Sequence, residues 1–269
     1  MPSWHELIAA SGLPLREAQL LAAHVAGKPR SWLLAHDDET PATAMNAALD
    51  ALYARRRAGE PIAYLTGERE FHGHSLRVTP DVLIPRPETE LLVELALARL
   101  PQGGALLDVG TGSGAIAIAC ALARPDARVH ASDLSSAALA VARDNATRHG
   151  ATLKLREGDL LQPWPGARFA VIASNPPYVA AGDPHLAQGD LRFEPALALT
   201  DRADGLALIR RLAADARGHL APGGWLLFEH GFDQGPPCVA LLQSLGYGEV
   251  ADHPDLAGLP RVCSGQWPG

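Results

Sequence analysis

From Glu88 to the end of the chain, short apolar runs alternate with stretches of helical periodicity, an order that few folds accommodate. A helix is expected over about 88–100, followed by a strand at 105–109 (ALLDV) and a helix opened by glycines. A strand at 127–132 (ARVHAS) leads into a helix over about 135–148. A short strand near 152–156 precedes a longer one at 169–174 (FAVIAS). A helix near 204–217, a strand at 225–230 (WLLFEH), another helix and two closing strands complete the series. Alternation at these lengths predicts an α/β fold with a doubly wound, mostly parallel, Rossmann-like sheet.

The residues before Glu88 read differently. Up to about residue 60 they form short helices: Leu15, Ala18, Leu21, Ala22 and Val25 recur at helical spacing. Thr40 followed by Pro41 is a helix-start signal, after which Met45, Ala48, Leu49, Leu52 and Tyr53 make one apolar face. Arg55, Arg56 and Arg57 close that helix, where cations suit the dipole. A solvated helix end is their expected role, and a nucleic-acid contact the alternative. Phe71 and then Leu76 to Val78 flank a glycine-containing turn, which predicts a hairpin, and Pro80, Pro85 and Pro87 break up the segment after it. The expected organisation is a helical domain at 1–65, a β-hairpin connector at 66–85 and a larger domain at 86–269.

A chain of 269 residues with 47% hydrophobic and 20% charged residues can bury a sizeable core, and it has no apolar run long enough to span a bilayer. The opening MPSWHELIAASGLP lacks the basic and apolar regions of a signal peptide, so the cytoplasm is the expected location. Cys120, Cys238 and Cys263 are too scattered for a disulfide framework or a zinc site, and no HExxH pattern occurs, so no metal is expected. The formal net charge of −7 favours a protein or small-molecule substrate over nucleic acid. No oligomerisation element stands out, so a monomer is expected.

Asp108-Val109-Gly110-Thr111-Gly112-Ser113-Gly114-Ala115 lies where a strand turns into a helix. Glycines there permit a tight turn and let a ligand approach the backbone. Asp133 closes the next strand, placed to accept from the two hydroxyls of a ribose, and Asp159 after the third strand is placed to accept from an adenine amino group. With Ala115 in last place the loop also satisfies the dinucleotide fingerprint G-x-G-x-x-G/A. It therefore implies an adenosine-containing cofactor and leaves its identity open.

Asn175-Pro176-Pro177-Tyr178 directly succeeds the FAVIAS strand. Ligands of doubly wound sheets collect at the carboxyl ends of strands where the order reverses. If the first and fourth strands are neighbours there, Asn175 faces the glycine loop. The Asn175 side-chain carbonyl and the Pro176 backbone carbonyl can accept both hydrogens of an NH2 group, and Tyr178 can stack on its plane. An amide nitrogen is a poor nucleophile because its lone pair is delocalised, so such positioning suits methyl transfer from a sulfonium.

The chain closely resembles the peptide chain release factor glutamine methyltransferases of the HemK/PrmC type. The resemblance runs over nearly its whole length, through RRRAGEPIAYLTGEREFHG, VTPDVLIPRPETE, LDVGTGSGAIAIA, SNPPYV, DPHLAQGDLRFEP and GGWLLFEHG. It implies a class I methyltransferase domain that binds S-adenosyl-L-methionine and releases S-adenosyl-L-homocysteine, behind a helical domain that helps dock the release factor. By position it implies cofactor contacts at Gly110, Thr111, Gly112, Ser113, Gly114, Asp133 and Asn175, with Asp159 and Leu160 near the adenine. Leu160 stands where some members carry an aromatic residue, leaving an apolar contact in place of stacking. The implied substrate contacts are Asn175, Pro176, Pro177 and Tyr178, of which Asn175, Pro176 and Tyr178 would be catalytic. The implied substrate is the glutamine of the Gly-Gly-Gln loop of class I release factors, methylated on its side-chain nitrogen. Phe71 and Ile84-Pro85-Arg86-Pro87 also match, with Arg86 either anchoring its segment or facing the substrate, and Glu194 in RFEP is placed to orient the loop. The competing readings are methylation of a ribosomal-protein glutamine or of an exocyclic amine in nucleic acid, a nicotinamide-dependent oxidoreductase, and a non-enzymatic binding protein.

Overall fold

The computed structural model describes residues 2–269 and divides into two compact units. One runs to Glu68 and takes in the later segment Gln188–Phe193; the other comprises Arg69–Ala187 and Glu194–Gly269.

Helices α1 (Trp4–Ala10), α2 (Leu15–Ala26), α3 (Arg30–Ala35), α4 (Thr43–Arg57) and α5 (Ile62–Thr66) build the first unit. Ala18, Leu21 and Ala22 from α2 meet Leu49 and Tyr53 from α4 in its core, as the helical spacing predicts. Leu15 departs from that prediction: it opens α2 and stays 64% exposed, on the first turn where the apolar stripe begins. Helix α4 starts at Thr43, past the Thr40–Pro41 signal, because the Ala42 carbonyl is the one that accepts from Met45 and Asn46. Its closing arginines are engaged within the unit. Arg55 pairs with Glu60, Arg56 with Glu17 and Asp190, and Arg57 donates to the Ser11 carbonyl.

The second unit opens with a hairpin of β1 (Glu68–Phe71) and β2 (His74–Arg77). Its turn residues His72 and Gly73 have φ of 50° and 77°, the paired left-handed geometry whose twist suits a two-residue hairpin. Next come α6 (Glu90–Arg99), β3 (Ala105–Val109), α7 (Ala115–Ala123), β4 (Arg128–Asp133), α8 (Ser136–His149), β5 (Leu153–Glu157) and β6 (Phe169–Ser174). The chain continues through α9 (Ala196–Leu199), α10 (Ala207–Ala216), β7 (Leu220–Glu229), α11 (Gly235–Ser244), β8 (Gly248–Pro254) and β9 (Pro260–Gln266).

Strands β3 to β9 form a seven-stranded sheet in the order β5-β4-β3-β6-β7-β9-β8, parallel up to β7, with β9 antiparallel to β7 and to β8. Side chains alternate across it. Leu106, Val129, Val171 and Leu227 pack with α6 and α7 on one face, while Leu107, Ile172, Leu226 and Phe228 pack with α10 and α11 on the other. Both faces are therefore buried, as parallel strands require. Order reverses at β3, whose neighbours are β4 on one side and β6 on the other. The hairpin joins the first of these layers: Phe71 and Leu76 are buried in its core. Asn145 of α8, fully buried, accepts from Arg77 N at 2.7 Å and donates to the Arg77 and Ser113 carbonyls, both at 2.9 Å. One side chain thus ties the hairpin to the glycine loop.

Candidate active site

Parallel pairing sets Val109 opposite Ser174, so the glycine turn after β3 and the Asn-Pro-Pro-Tyr segment after β6 leave adjacent strands at one level. The Ser174 hydroxyl donates to the Val109 carbonyl at 2.7 Å and locks that level. The adjacency that the site requires, between the first and fourth strands of the α/β series, is met.

The turn itself is held by backbone. Gly110 N and Thr111 N both donate to the Ser132 carbonyl, at 2.8 and 3.0 Å, and Gly114 N donates to the Thr111 carbonyl at 2.8 Å. Gly110 and Gly112 have φ of 73° and 54°, and a Cβ on either would meet nothing within 4 Å, so open space lies in front of them. Gly114 differs, since a Cβ there would press on Ile118 Cδ1 at 2.9 Å and on Ala142. The first two glycines keep a ligand face clear and the third lets α7 and α8 pack. Thr111 and Ser113 are buried beneath the loop: the Thr111 hydroxyl donates to Asp108 Oδ2 at 2.6 Å, and the Ser113 carbonyl accepts from Asn145.

Asp133, half-buried at the end of β4, accepts from Gly112 N at 2.8 Å on one oxygen and from Ser135 N at 2.9 Å on the other. A carboxylate offers about four acceptor sites, and those not taken by backbone N–H groups can receive ribose hydroxyls. Burial pushes its carboxyl up from the ordinary range, against the pull of those N–H donors. Asp159 pairs with Arg211 at 2.5 Å, so one of its oxygens is already engaged. Leu160 has a left-handed φ of 48°, and its carbonyl accepts from the Ser132 hydroxyl at 3.2 Å, which sets this residue at the rim of the same strand ends.

Asp108 belongs to the loop motif, but its residue type alone suggests no role. It is fully buried, Oδ2 accepts from Thr111 and from Ala117 N at 3.2 Å, and Oδ1 has no partner. Burial pushes its carboxyl up to about 7. An open glycine face, paired acceptors on Asp133 and an orphaned acidic oxygen below the turn together fit a cationic, ribose-bearing cofactor such as S-adenosyl-L-methionine.

On the β6 side, Pro176 is buried, and Asn175, Pro177 and Tyr178 are partly so. Asn175 Nδ2 donates to Thr89 Oγ1 at 3.2 Å, and the Tyr178 hydroxyl donates to Glu229 Oε1 at 2.9 Å. Burial and the neighbouring Glu229 hold the Tyr178 phenol neutral, with its pKa well above the ordinary value. Gln234 Nε2 donates to the Tyr178 carbonyl at 3.0 Å, and Gly205 passes so close that a Cβ there would collide with that oxygen. Arg86 takes the anchoring role left open by the sequence. It pairs with the buried Glu194, whose other oxygen accepts from Ile84 N at 3.0 Å, so the Ile84–Pro87 segment is fastened. Sequence reasoning missed Thr89 and Glu229. Both lie inside family-like stretches, VTPDVLIPRPETE and GGWLLFEHG, but nothing local marks either as part of a site.

Residues 87–192 match the Methyltransferase small domain family and residues 5–67 the PrmC N-terminal domain family. The chain is 55% identical over 264 residues to a release factor glutamine methyltransferase of Bordetella pertussis, covering 97% of each. It is 51% identical over 273 residues to one of Burkholderia pseudomallei, covering 98% of this chain and 96% of that one. A solved methyltransferase from Pyrococcus furiosus shares the fold, with a TM-score of 0.57 at 21% identity over 80% of this chain and 97% of its own.

Proposed function

The chain belongs to the release factor glutamine methyltransferases, and we propose that its site methylates the side-chain nitrogen of the glutamine in the Gly-Gly-Gln loop of a class I peptide chain release factor. The observation that carries the reading is the level register of Val109 and Ser174, which opens the glycine turn and the Asn175 segment toward one space. S-Adenosyl-L-methionine supplies a methyl already activated on a cationic sulfur and leaves S-adenosyl-L-homocysteine.

Gly110 and Gly112 give the backbone face for that cofactor, Asp133 receives its ribose, and Asp159 and Leu160 border its adenine, with Thr111, Ser113 and Gly114 shaping the turn. Asn175 Oδ1 and the Pro176 carbonyl accept the two amide hydrogens of the glutamine and direct its lone pair at the methyl. Tyr178 and Pro177 flank the amide plane and exclude water. The nitrogen releases a proton only after it has gained the methyl, so no basic side chain is needed for attack.

The helical unit is the docking element for the protein substrate and the larger unit the catalytic one. The net charge of −7 and the internal engagement of Arg55, Arg56 and Arg57 support a protein substrate over nucleic acid. A cytoplasmic monomer is the proposed working form; no helix among the described residues is long and apolar enough to cross a membrane. Purified release factor, ribosomes and DNA, each incubated with enzyme and labelled cofactor, test the reading. Label is expected in the release factor, and label in ribosomes or DNA alone would overturn it.

A further inference from the structure

Asn175 can hold a substrate N–H only if Oδ1, and not Nδ2, faces the incoming amide. The two ends of an asparagine amide have nearly the same shape, so packing sets little preference between them. A chain of hydrogen bonds does set one. Asn175 Nδ2 donates to Thr89 Oγ1 at 3.2 Å, the Thr89 hydroxyl donates to Glu229 Oε2 at 2.7 Å, and the Tyr178 hydroxyl donates to Glu229 Oε1 at 2.9 Å. An ionised carboxylate only accepts, so the Thr89 hydrogen points at it. The Thr89 oxygen then offers lone pairs toward Asn175, which receive an NH2 and repel a carbonyl.

Two observations separate this chain of bonds from ordinary packing. Thr89 ends a 3-10 turn (Pro87–Thr89) that runs straight into α6, with helical φ and ψ of −68° and −17°. A threonine hydroxyl inside a helix commonly bonds back to a carbonyl of the preceding turn, yet this one does not. Its hydroxyl goes to Glu229 instead. Glu229, 1% exposed at the end of β7, is held by two neutral hydroxyls and forms no ion pair among the described residues. A carboxylate buried in that way lowers stability relative to an uncharged side chain.

We propose that Glu229, acting through Thr89, is a positioning residue that sets the direction of the Asn175 amide while also holding Tyr178 in place. The proposal rests on glutamine methylation at this site, although the direction of the amide is measurable without it. Glu229 faces the Thr89 and Tyr178 hydroxyls, Arg261 of β9, and Glu88 ahead of α6. Burial and Glu88 push its carboxyl up, and the hydroxyls and Arg261 pull it down, with burial dominant. A proton on Glu229 would free the Thr89 hydroxyl to rotate, so turnover falls as pH drops through the Glu229 titration.

The test uses Thr89→Val, Thr89→Ser and Glu229→Gln in the full chain, with kcat, release-factor KM, S-adenosyl-L-homocysteine affinity and the ¹⁵N side-chain resonance of Asn175 as readouts. Thr89→Val and Glu229→Gln should each lower kcat by about tenfold or more, while KM and cofactor-product affinity stay within about threefold. Thr89→Ser, which keeps the hydroxyl, should restore most of the rate, and the acid limb of the kcat profile should vanish in Glu229→Gln. The Asn175 resonance, measured with S-adenosyl-L-homocysteine bound, should move in Thr89→Val and hold its place in Thr89→Ser. Full rate in Thr89→Val, equal losses in the valine and serine variants, or an unmoved resonance overturns the proposal. Should the wild-type enzyme leave release factor unmethylated, the functional reading fails, and the resonance alone still decides the relay.

Discussion

The Ser174 hydroxyl reaches the Val109 carbonyl over 2.7 Å, joining the last residue of β6 to the last of β3. Residues beyond those ends have no freedom to drift along the sheet. Gly110 on one side and Asn175 on the other therefore begin their loops from fixed, neighbouring points, and the chemistry assigned to each is possible only because the other is there.

Asn175→Ala should lower turnover by about a hundredfold, the scale reached when one preorganised polar partner of a reacting group is removed. Single-turnover kinetics at saturating cofactor would measure it. Cofactor affinity should change far less, because Gly112 and Asp133 lie on the β3 and β4 side. Near-normal turnover would remove Asn175 from the reaction.

Asp133→Ala should act in the opposite way. It deletes the acceptor for Gly112 N and Ser135 N together with the proposed ribose contact. Calorimetry with S-adenosyl-L-homocysteine should show affinity weakened by about 10- to 100-fold, consistent with losing charge-assisted hydrogen bonds. Turnover at saturating cofactor should fall much less than in Asn175→Ala.

Asn145→Ala tests the tie between hairpin and glycine loop. The change leaves Arg77 N and the Arg77 and Ser113 carbonyls without their side-chain partner. Denaturant unfolding should show a loss of about 3 kcal/mol, as expected for buried polar groups left unsatisfied. A loss below about 1 kcal/mol would mean that water replaces the bonds.

These positions differ in how far the sequence discloses them. The strand at 105–109 and the one at 169–174 are legible to the residue, because an apolar run bounded by glycines or by Asn-Pro-Pro leaves little choice of ends. Their adjacency is not legible from the runs themselves; it needs the topology of the whole sheet. Gly110, Gly112, Asp133 and Asn175 are legible because loop chemistry at a strand end is local. Thr89 and Glu229 are not. They stand 140 residues apart and meet only when α6 and β7 are packed in place. Asn145 is hidden for the same reason, as an ordinary polar residue on a helix until its partners from β2 and the glycine loop arrive.

Asp108→Asn should change the pH dependence of stability. Burial raises the carboxyl from 3.8 to about 7 in the folded chain. A raised pKa contributes stability in full below about pH 4, and that contribution is lost as pH climbs through about 7. The asparagine variant has no such proton to lose. Relative to wild type it should gain stability as pH rises from about 4 to about 7, by up to about 4 kcal/mol, and hold that gain above about pH 7, with unfolding midpoints measured from about pH 4 to 8. A constant difference would show that Asp108 does not titrate there.

The decisive measurement is mass spectrometry of a purified class I release factor after incubation with this protein and S-adenosyl-L-methionine. One added methyl on the glutamine of the Gly-Gly-Gln loop, absent when Asn175→Ala replaces the wild type, is the expected result. An unmodified glutamine under conditions where the cofactor demonstrably binds, or a methyl on any other residue, would contradict it.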